Sequence, residues 1–447
     1  MPRATNMLPV LAVLLAAGPV AGGPLEETLA LVYLDNPRLV AGRAALRAAD
    51  ESVALAQAGG RASVMLRSSA GVEAQDTSRG SGVASPMRPS LGLTQPVYSG
   101  GETTAATARA ESLVLAERAR LGDLEQRVLM ETIGVFTAVA REQAVVGRAR
   151  DNEKRLTAQL DATRERLRLG DVSKTDVAQS EARQAGGVAD RVQAEGELDA
   201  AVAEYIHVVG DAPGRLELPE PPDAPPETGD DTDVERSFVY QEAQYELAAA
   251  EAEIAAARSV SRPRLALMGD VSYVDEPNSY TDRQGTASLG ATLQVPLYQG
   301  GSATARLRQS RDLREQRQHT LDEARRAATA AITTATHDQR TAIARIASLQ
   351  KQADAAAFAL DGVRQEALVG SRTVHDVLDA EAELFRVEVA LLRAQAQRVL
   401  AAYRLRAAMG QLTAEGLTLD VTPYDTKAHY REVRNRWFGI GGLGSTR

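Results

Sequence analysis

Residues 95–101 of the chain read QPVYSGG, and residues 295–301 read VPLYQGG. Further matching positions lie at the same offset of 200 residues, namely Gly170, Asp176, Val177 and Glu181 with Gly370, Asp376, Val377 and Glu381. This period is far longer than the roughly 20–50 residues of a solenoid unit. The sequence therefore predicts a duplicated half-protein, in which both halves share one order of elements.

The first 23 residues are expected to be an export signal. Arg3 gives a basic start, residues 8–17 form an apolar run, and the small residues at 20–23 suit cleavage. The apolar run is shorter than the roughly 20 residues that a membrane-spanning helix requires. We predict a signal peptide at residues 1–23, with a buried N-terminal helix as the less favoured alternative.

Composition and motifs argue against several classes of function. The chain has no cysteine, five scattered histidines without metal-ligand spacing, and a net charge of −9, which disfavours a nucleic-acid partner. It also lacks the GxSxG, HExxH and glycine-rich phosphate-binding motifs of common enzymes. We therefore expect no enzymatic activity, no metal site, no cofactor and no nucleic-acid partner.

The clearest strand signal lies just before and within the second copy of the repeated motif. Apolar residues alternate with small polar ones over residues 286–297. This period of two predicts a strand, and its length fits the ~9–11 residues of a tilted membrane strand. A half-buried strand of a soluble sheet is the alternative. We assign to the lipid-facing side Leu289, Leu293, Val295 and Leu297.

Three further strands are predicted, so that each half contributes two. They are expected near residues 63–73, 89–98 and 263–273, with polar loops at residues 79–85 and 275–285. Four strands cannot close a membrane barrel, because the smallest barrels have about eight, and lipid does not tolerate open sheet edges. If the strands span a membrane, several chains must pool them, and three chains would supply twelve.

Long helices are expected at residues 101–169 and 301–369, each followed by a turn and another helix. At 1.5 Å per residue each would be roughly 100 Å long. Apolar residues recur every seven positions, as in Leu121, Val128 and Val135, and again in Ile346, Ala353, Leu360 and Ala367. Such rows are typical of coiled-coil seams, so we expect these helices to pack lengthwise on others.

The sequence predicts five segments along the chain. After the signal peptide come a first repeat at residues 24–210, a proline-rich acidic connector at 211–233, a second repeat at 234–410 and a tail at 411–447. Each repeat is expected to run helix, strand, loop, strand, long helix, turn, helix. The tail is expected to wrap the outside of the body or to be partly disordered.

The turns at Gly170 and Gly370 carry the most specific local chemistry. A glycine that ends a helix suits the left-handed conformation. Each following helix starts with a capping box, Ser173 with Asp176 in the first half and Thr373 with Asp376 in the second. Helix capping alone would therefore explain the presence of both aspartates.

Asp379 lies one turn beyond Asp376 on the same helical face, and capping does not need it. Three copies around an axis would place six carboxylates in one constriction.

The motif PLYQGG at residues 296–301 and the stretch GSRTVHDVLDAE at residues 370–381 resemble the TolC-like outer-membrane efflux protein family. The resemblance covers nearly all of the mature chain. It implies a mixed fold of all-α coiled coil and membrane β-barrel, in which a homotrimer shares one twelve-stranded β-barrel and a long α-helical barrel. The location it implies is the outer membrane of a Gram-negative bacterium, with most of the chain in the periplasm.

The same resemblance implies a channel-tunnel without catalytic turnover, for efflux or type I protein secretion. Its expected partners are a periplasmic adaptor, an inner-membrane transporter of ABC or RND type, and outer-membrane lipid. A periplasmic coiled-coil adaptor or a structural protein of an envelope-spanning complex is the alternative. The duplication, with paired strands in each half, favours the channel.

Roles at the turns also follow from the resemblance. Asp376 and Asp379 would line the tunnel entrance and favour cations, whereas Arg372, Thr175 and Asp176 would belong to the network that holds the entrance shut. The turns that would dock the adaptor comprise Gly170, Asp171, Ser173, Gly370, Ser371 and Thr373. The sequence departs from the family pattern at Ala367, where a tyrosine joins the network, so we expect a different latch here.

Overall fold

The computed structural model describes residues 24–78, 80–222, 231–278, 281–437 and 439. The predicted signal peptide, part of the predicted connector and the end of the tail lie outside these residues.

The first half contains two short helices, four strands and two long helices. They are α1 (Pro24–Asp35), α2 (Pro37–Ala58), β1 (Ser63–Ala70), β2 (Glu73–Thr77), β3 (Gly80–Ala84), β4 (Met87–Tyr98), α3 (Glu102–Leu169) and α4 (Lys174–Val209). The second half and tail follow with α5 (Asp231–Arg236), α6 (Phe238–Ser259), β5 (Arg264–Asn278), β6 (Thr281–Gln294), α7 (Ser302–Leu368), α8 (Val374–Ala408) and α9 (Ala428–Val433). The two long helices are confirmed, and α5 begins inside the predicted connector.

The strands differ from the sequence prediction in three places. The loop expected at residues 79–85 is wrong, because β3 lies there and pairs with β2 as a separate hairpin. The loop expected at 275–285 is mostly strand, since β5 and β6 stay paired as far as Asn278 and Thr281. Polar residues occupy both faces of this hairpin end, so the alternation that reveals a half-apolar strand is missing there.

The third difference concerns the end of β6. The strand ends at Gln294, so Val295 and Leu297, assigned above to its lipid-facing side, follow it instead. The physical reason is the start of β5 at Arg264, opposite Gln294, so the residues after Gln294 have no partner in that strand. Leu289 and Leu293 remain within β6.

One antiparallel sheet joins the two halves, in the strand order β1-β4-β5-β6. Because residues directly opposite each other share a face, the register places most of the large apolar residues of the four strands together, with Met65 and Met268 on the opposite face. This apolar face consists of Val64, Leu66, Leu91, Leu93, Leu267, Val271, Leu289 and Leu293, whose exposed fractions lie between 43% and 84%. The opposite face is largely small or polar, with Ser90, Asp270, Ser288 and Thr292.

The helices bury their apolar seams against one another. In the first heptad row, Leu121, Val128 and Val135 are all buried, and in the second row Ala353 and Leu360 are buried. The main core lies where α3 meets α1 and the tail, with Phe136 and Leu412 among its buried members. No helix in the described part of the chain is both long and apolar enough to cross a bilayer.

The tail wraps the body over residues 411–437, which agrees with the first of the two expectations. Its helix α9 packs on α2, where His429 Nδ1 lies 3.3 Å from Oδ2 of the buried Asp50. Burial raises the pKa of the Asp50 carboxyl, and the hydrogen bond with His429 opposes that effect. Arg434 adds an ion pair to Glu111 of α3 at 2.8 Å.

The close contact between α3 and α6 provides a test of the packing. A Cβ atom at Gly122 would lie 2.5 Å from the ring of Phe238, whereas one at Gly134 would meet nothing within 4 Å. Alanine should gain ~0.8–1.0 kcal/mol of helix propensity at either position. We predict that Gly134→Ala maintains or raises the thermal unfolding temperature, and that Gly122→Ala lowers it because Phe238 must move. Equal unfolding temperatures for the two variants would contradict this contact.

Candidate functional site at the two helix turns

The two long hairpins reverse direction with the same backbone geometry. Gly170 and Gly370 have φ angles of +85° and +80°, in the left-handed region. The next residue in each turn, Asp171 or Ser371, donates its N–H to a carbonyl five residues earlier, at 3.0 Å in both cases. This pattern satisfies carbonyls that the end of a helix leaves free. The predicted helix ends at both glycines are confirmed.

Both predicted capping boxes are present. Asp176 Oδ2 accepts hydrogen bonds from the N–H and the hydroxyl of Ser173 at 2.8 and 2.7 Å. Asp376 Oδ2 accepts the equivalent bonds from Thr373 at 2.9 and 2.8 Å. In return, each hydroxyl accepts the N–H of its aspartate at 3.2 Å.

These hydrogen bonds favour the ionised aspartates. The pKa of Asp176 is lowered chiefly by the Ser173 hydroxyl, and that of Asp376 chiefly by the Thr373 N–H. A pKa that is lower in the folded state than the unfolded-state pKa of about 3.9 means that the ionised carboxylates stabilise the fold above that pH. This stabilisation is lost as the pH falls through the folded-state pKa. The capping contribution of both aspartates is therefore present at neutral pH and is lost below the unfolded value of about 3.9.

Asp379 takes no part in capping and instead connects the two hairpins. Its Oδ1 accepts a hydrogen bond from Arg183 Nη2 of α4 at 2.5 Å, and its Oδ2 lies 3.1 Å from His375 Nε2. Both carboxylate oxygens thus have partners within one chain, although half of the side chain remains exposed. The sequence analysis missed Arg183 because it lies 196 residues away, in the other repeat.

Arg372 makes its ion pair inside its own hairpin, with Nε 2.8 Å from Glu366 Oε2. Thr175 is the second residue of α4, and Asp176 is engaged in its capping box. Within the described part of a single chain, Arg372 therefore does not reach the Thr175–Asp176 pair that the resemblance assigns to the same network.

Each hairpin also contains an Arg–Glu ion pair near its turn, at equivalent positions of the two repeats, which the sequence analysis did not predict. Arg164 pairs with Glu181, and Arg364 pairs with Glu381 at the same offset of 200, at distances of 2.8 and 2.7 Å. Each pair ties the two helices of one hairpin together. The sequence did contain a signal for these ion pairs, since Arg164 and Arg364 are identical residues at the same offset of 200 that revealed the duplication.

The surroundings of the two pairs differ. Glu181 is 51% exposed, whereas Glu381 is 3% exposed and its Oε2 has no hydrogen-bond partner. One turn before Glu381, Leu378 of α8 is buried with Leu156 of α3, and Val172 of the first turn packs against the same cluster. The two hairpins therefore pack on each other near their turns, while the equivalent glutamates differ in exposure.

Large apolar side chains are exposed beside both turns. Leu169 is 71% exposed next to Gly170, and Leu368 and Val369 are 85% and 80% exposed next to Gly370. Exposed apolar groups at the end of a long helical rod mark a surface that can bind another protein.

Two helices of roughly 100 Å, each turning back into a shorter helix and joined to a sheet with an exposed apolar face, indicate a membrane protein of the channel-tunnel class. The sequence model of the family described as "Outer membrane efflux protein" matches residues 29–210 and 234–411, and the chain belongs to this family. It is therefore an outer-membrane channel of a Gram-negative bacterium, for efflux or secretion, and not an enzyme. This assignment selects the channel over the adaptor and structural-protein alternatives.

Individual relatives agree with the assignment. The chain is 31% identical to outer membrane efflux protein BepC of Brucella suis, over 98% of this chain and 97% of that protein. It is 30% identical to protein CyaE of Bordetella pertussis, over 71% and 69% of the two chains. The crystal structure of the Campylobacter jejuni CmeC outer membrane channel shares the fold, with a TM-score of 0.79 at 12% identity, covering 92% of this chain and 89% of that one.

The repeated Arg–Glu pairs give a matched prediction. Arg364→Ala should leave the buried Glu381 carboxylate without its hydrogen bond, at a cost of roughly 1–3 kcal/mol. Arg164→Ala should cost less than about 1 kcal/mol, because Glu181 is hydrated and exposed pairs contribute little. Chemical unfolding of the two variants, with hydrogen exchange of the α7–α8 turn, checks this difference. A larger effect for Arg164→Ala would contradict the asymmetry between the hairpins.

Proposed function

We propose that three copies of the chain form one channel, in which their sheets close into a shared twelve-stranded β-barrel and their long helices form a tunnel across the periplasm. The observation that carries the proposal is the exposed apolar face of a sheet whose edge strands are β1 and β6. In lipid, unpaired edge groups would be costly, and β1 of one copy beside β6 of the next removes every edge.

The two faces of the sheet suit such a barrel. The apolar face, which includes Leu289 of β6, would contact outer-membrane lipid, and the small polar face would line a water-filled lumen. Exposed apolar residues on the long helices, including Val192, Ile343 and Phe358, would pack against neighbouring copies.

The turns would form the periplasmic entrance of the tunnel. Asp376 and Asp379 of three copies would focus a negative potential there, which favours cations. The Arg183–Asp379 ion pair would hold α4 against α8 in the resting state, together with the Arg372–Glu366 pair in the second hairpin. Opening would then shift a two-state element whose closed form rests on a few polar contacts.

The partners of this channel would be a periplasmic adaptor and an inner-membrane transporter of ABC or RND type. The adaptor would bind the turns around Gly170 and Gly370, where Leu169 and Leu368 supply apolar contact area. The channel would serve efflux or protein secretion. The Brucella suis relative BepC is named an efflux protein, and the Pseudomonas aeruginosa relative AprF is named an alkaline protease secretion protein.

Neighbouring residues of β6 test the orientation of the sheet. Leu289→Arg would place a charge in lipid near the middle of the strand and should cost roughly 2–4 kcal/mol per chain. Ser288→Arg points to the other face, opposite Asp270, and should be tolerated better. The measurement is the amount of trimer in the outer-membrane fraction. Equal losses for both variants would refute the assigned faces, and a soluble monomer in the wild type would refute the channel assembly.

The ion pair between the hairpins predicts opposite changes in conductance. Arg183→Gln should raise the resting single-channel conductance and strengthen blockade by a trivalent cation, because Asp379 loses its counter-ion. Asp379→Asn should weaken both blockade and cation preference. Arg191→Gln is the matched control, since Arg191 pairs with Glu153 and Glu195 rather than with α8.

Recording in planar bilayers with and without the trivalent cation distinguishes these outcomes. If Asp379→Asn channels keep wild-type blockade and selectivity, the acidic residues at this turn serve the helix start alone and the gate lies elsewhere.

A further inference from the structure

The chain contains a single tryptophan, Trp437, and the structure leaves it exposed in the last part of the tail that it describes. Trp437 is 62% exposed, although the tail before it packs closely on the body. The guanidinium carbon of Arg61 lies 4.9 Å from the centre of the Trp437 ring. Arg61 Nη1 also donates to the carbonyl oxygen of Arg436 at 2.8 Å, and Nη2 donates to Gln57 Oε1 at 3.0 Å. The indole is therefore held in a defined place.

That place is the end of the sheet where strands give way to helices. Arg61 precedes β1, whose first residue lies opposite Thr94, and Gly60 accepts a hydrogen bond from Gln95 at 3.0 Å. Two further exposed aromatic residues lie at the same end, Tyr98 at the end of β4 and Tyr298 between β6 and α7. Three exposed aromatic side chains thus surround the junction of sheet and helices.

The charges at this junction complement the aromatic residues. Arg61 contacts a carbonyl, an amide oxygen and the indole, and Arg262 donates to the carbonyl of Gly100 at 3.2 Å. In the described part of the chain neither arginine has a carboxylate partner, in contrast to Arg264, which pairs with Glu102 at 2.7 Å. Guanidinium groups without a carboxylate partner can bind phosphate with their remaining N–H groups, and an indole beside them suits the boundary between lipid and water.

We propose that Trp437 is a membrane anchor, which inserts its indole into the headgroup region of the periplasmic leaflet while Arg61 and Arg262 bind phospholipid phosphates. This inference rests on the proposed function, which places this end of the sheet at the periplasmic surface of the outer membrane. The anchor attaches the tail, and through α9 the helical body, to the bilayer.

The single tryptophan permits a direct measurement on the full-length protein. The trimer is reconstituted into vesicles of phosphatidylethanolamine and phosphatidylglycerol, with acyl chains either brominated near the headgroup or unmodified. Intrinsic fluorescence should lose roughly half its intensity in the brominated vesicles, because indoles at this boundary sit at headgroup level. Acrylamide, a quencher dissolved in water, should have a much weaker effect. Arg61→Gln should reduce the quenching by brominated lipid, since the indole loses its support.

Two tryptophan variants in a Trp437→Phe background calibrate the result. Leu289→Trp reports on the apolar face of the sheet and should be quenched strongly by brominated lipid. Leu368→Trp, beside the distant turn, should be quenched by acrylamide alone. If Leu289→Trp escapes lipid quenching, the proposed membrane sheet fails.

If Leu289→Trp is quenched by lipid but Trp437 responds only to acrylamide, the anchor alone is refuted and the tail end lies in water. Protection of Trp437 from both quenchers would also refute it, because the indole would then be covered by another copy of the chain.

Discussion

Backbone hydrogen bonds at the edges of the four-stranded sheet constrain the rest of this protein. Within the sheet, β1 and β6 each have a neighbour on one side only. Water can satisfy the outward N–H and C=O groups, but hydrocarbon cannot. The apolar face formed by Leu66, Leu91, Val271 and Leu289 is equally unsuited to water. A sheet closed by several copies, as proposed above, would satisfy both requirements at once, so that assembly and membrane insertion would occur together.

The duplication supplies two hairpins with the same local chemistry and different surroundings. Both have a left-handed glycine, a capping box and an Arg–Glu pair between their helices. The two hairpins pack on each other through α3 and α8, yet Glu381 is buried whereas Glu181 is half exposed. The Arg183–Asp379 ion pair adds a polar contact between α4 of the first hairpin and α8 of the second.

The tail connects the parts that the two repeats leave separate. Leu412 is buried in the core beside α3, and α9 packs on α2 through His429 and Asp50. Trp437 lies at the junction of the helices with the sheet, against Arg61. The buried Asp50 depends on this arrangement, since α9 supplies the hydrogen bond that offsets part of its desolvation. Removal of the tail would therefore disturb the body and not simply shorten the chain.

The sequence by itself determined the duplication, the long helices with their heptad seams, and the capping boxes at Ser173 and Thr373. These features are readable because they are periodic or depend on residues three to seven positions apart. Only the tertiary structure decided the separate β2–β3 hairpin, the extended β5–β6 pairing, the partners of Asp379 and the path of the tail. Each of these depends on polar groups that pair without a repeating pattern or on residues that are far apart in the chain. Glu181 and Glu381 illustrate the limit most directly, since equivalent residues in equivalent ion pairs differ in burial, and burial depends on tertiary packing rather than on the local sequence.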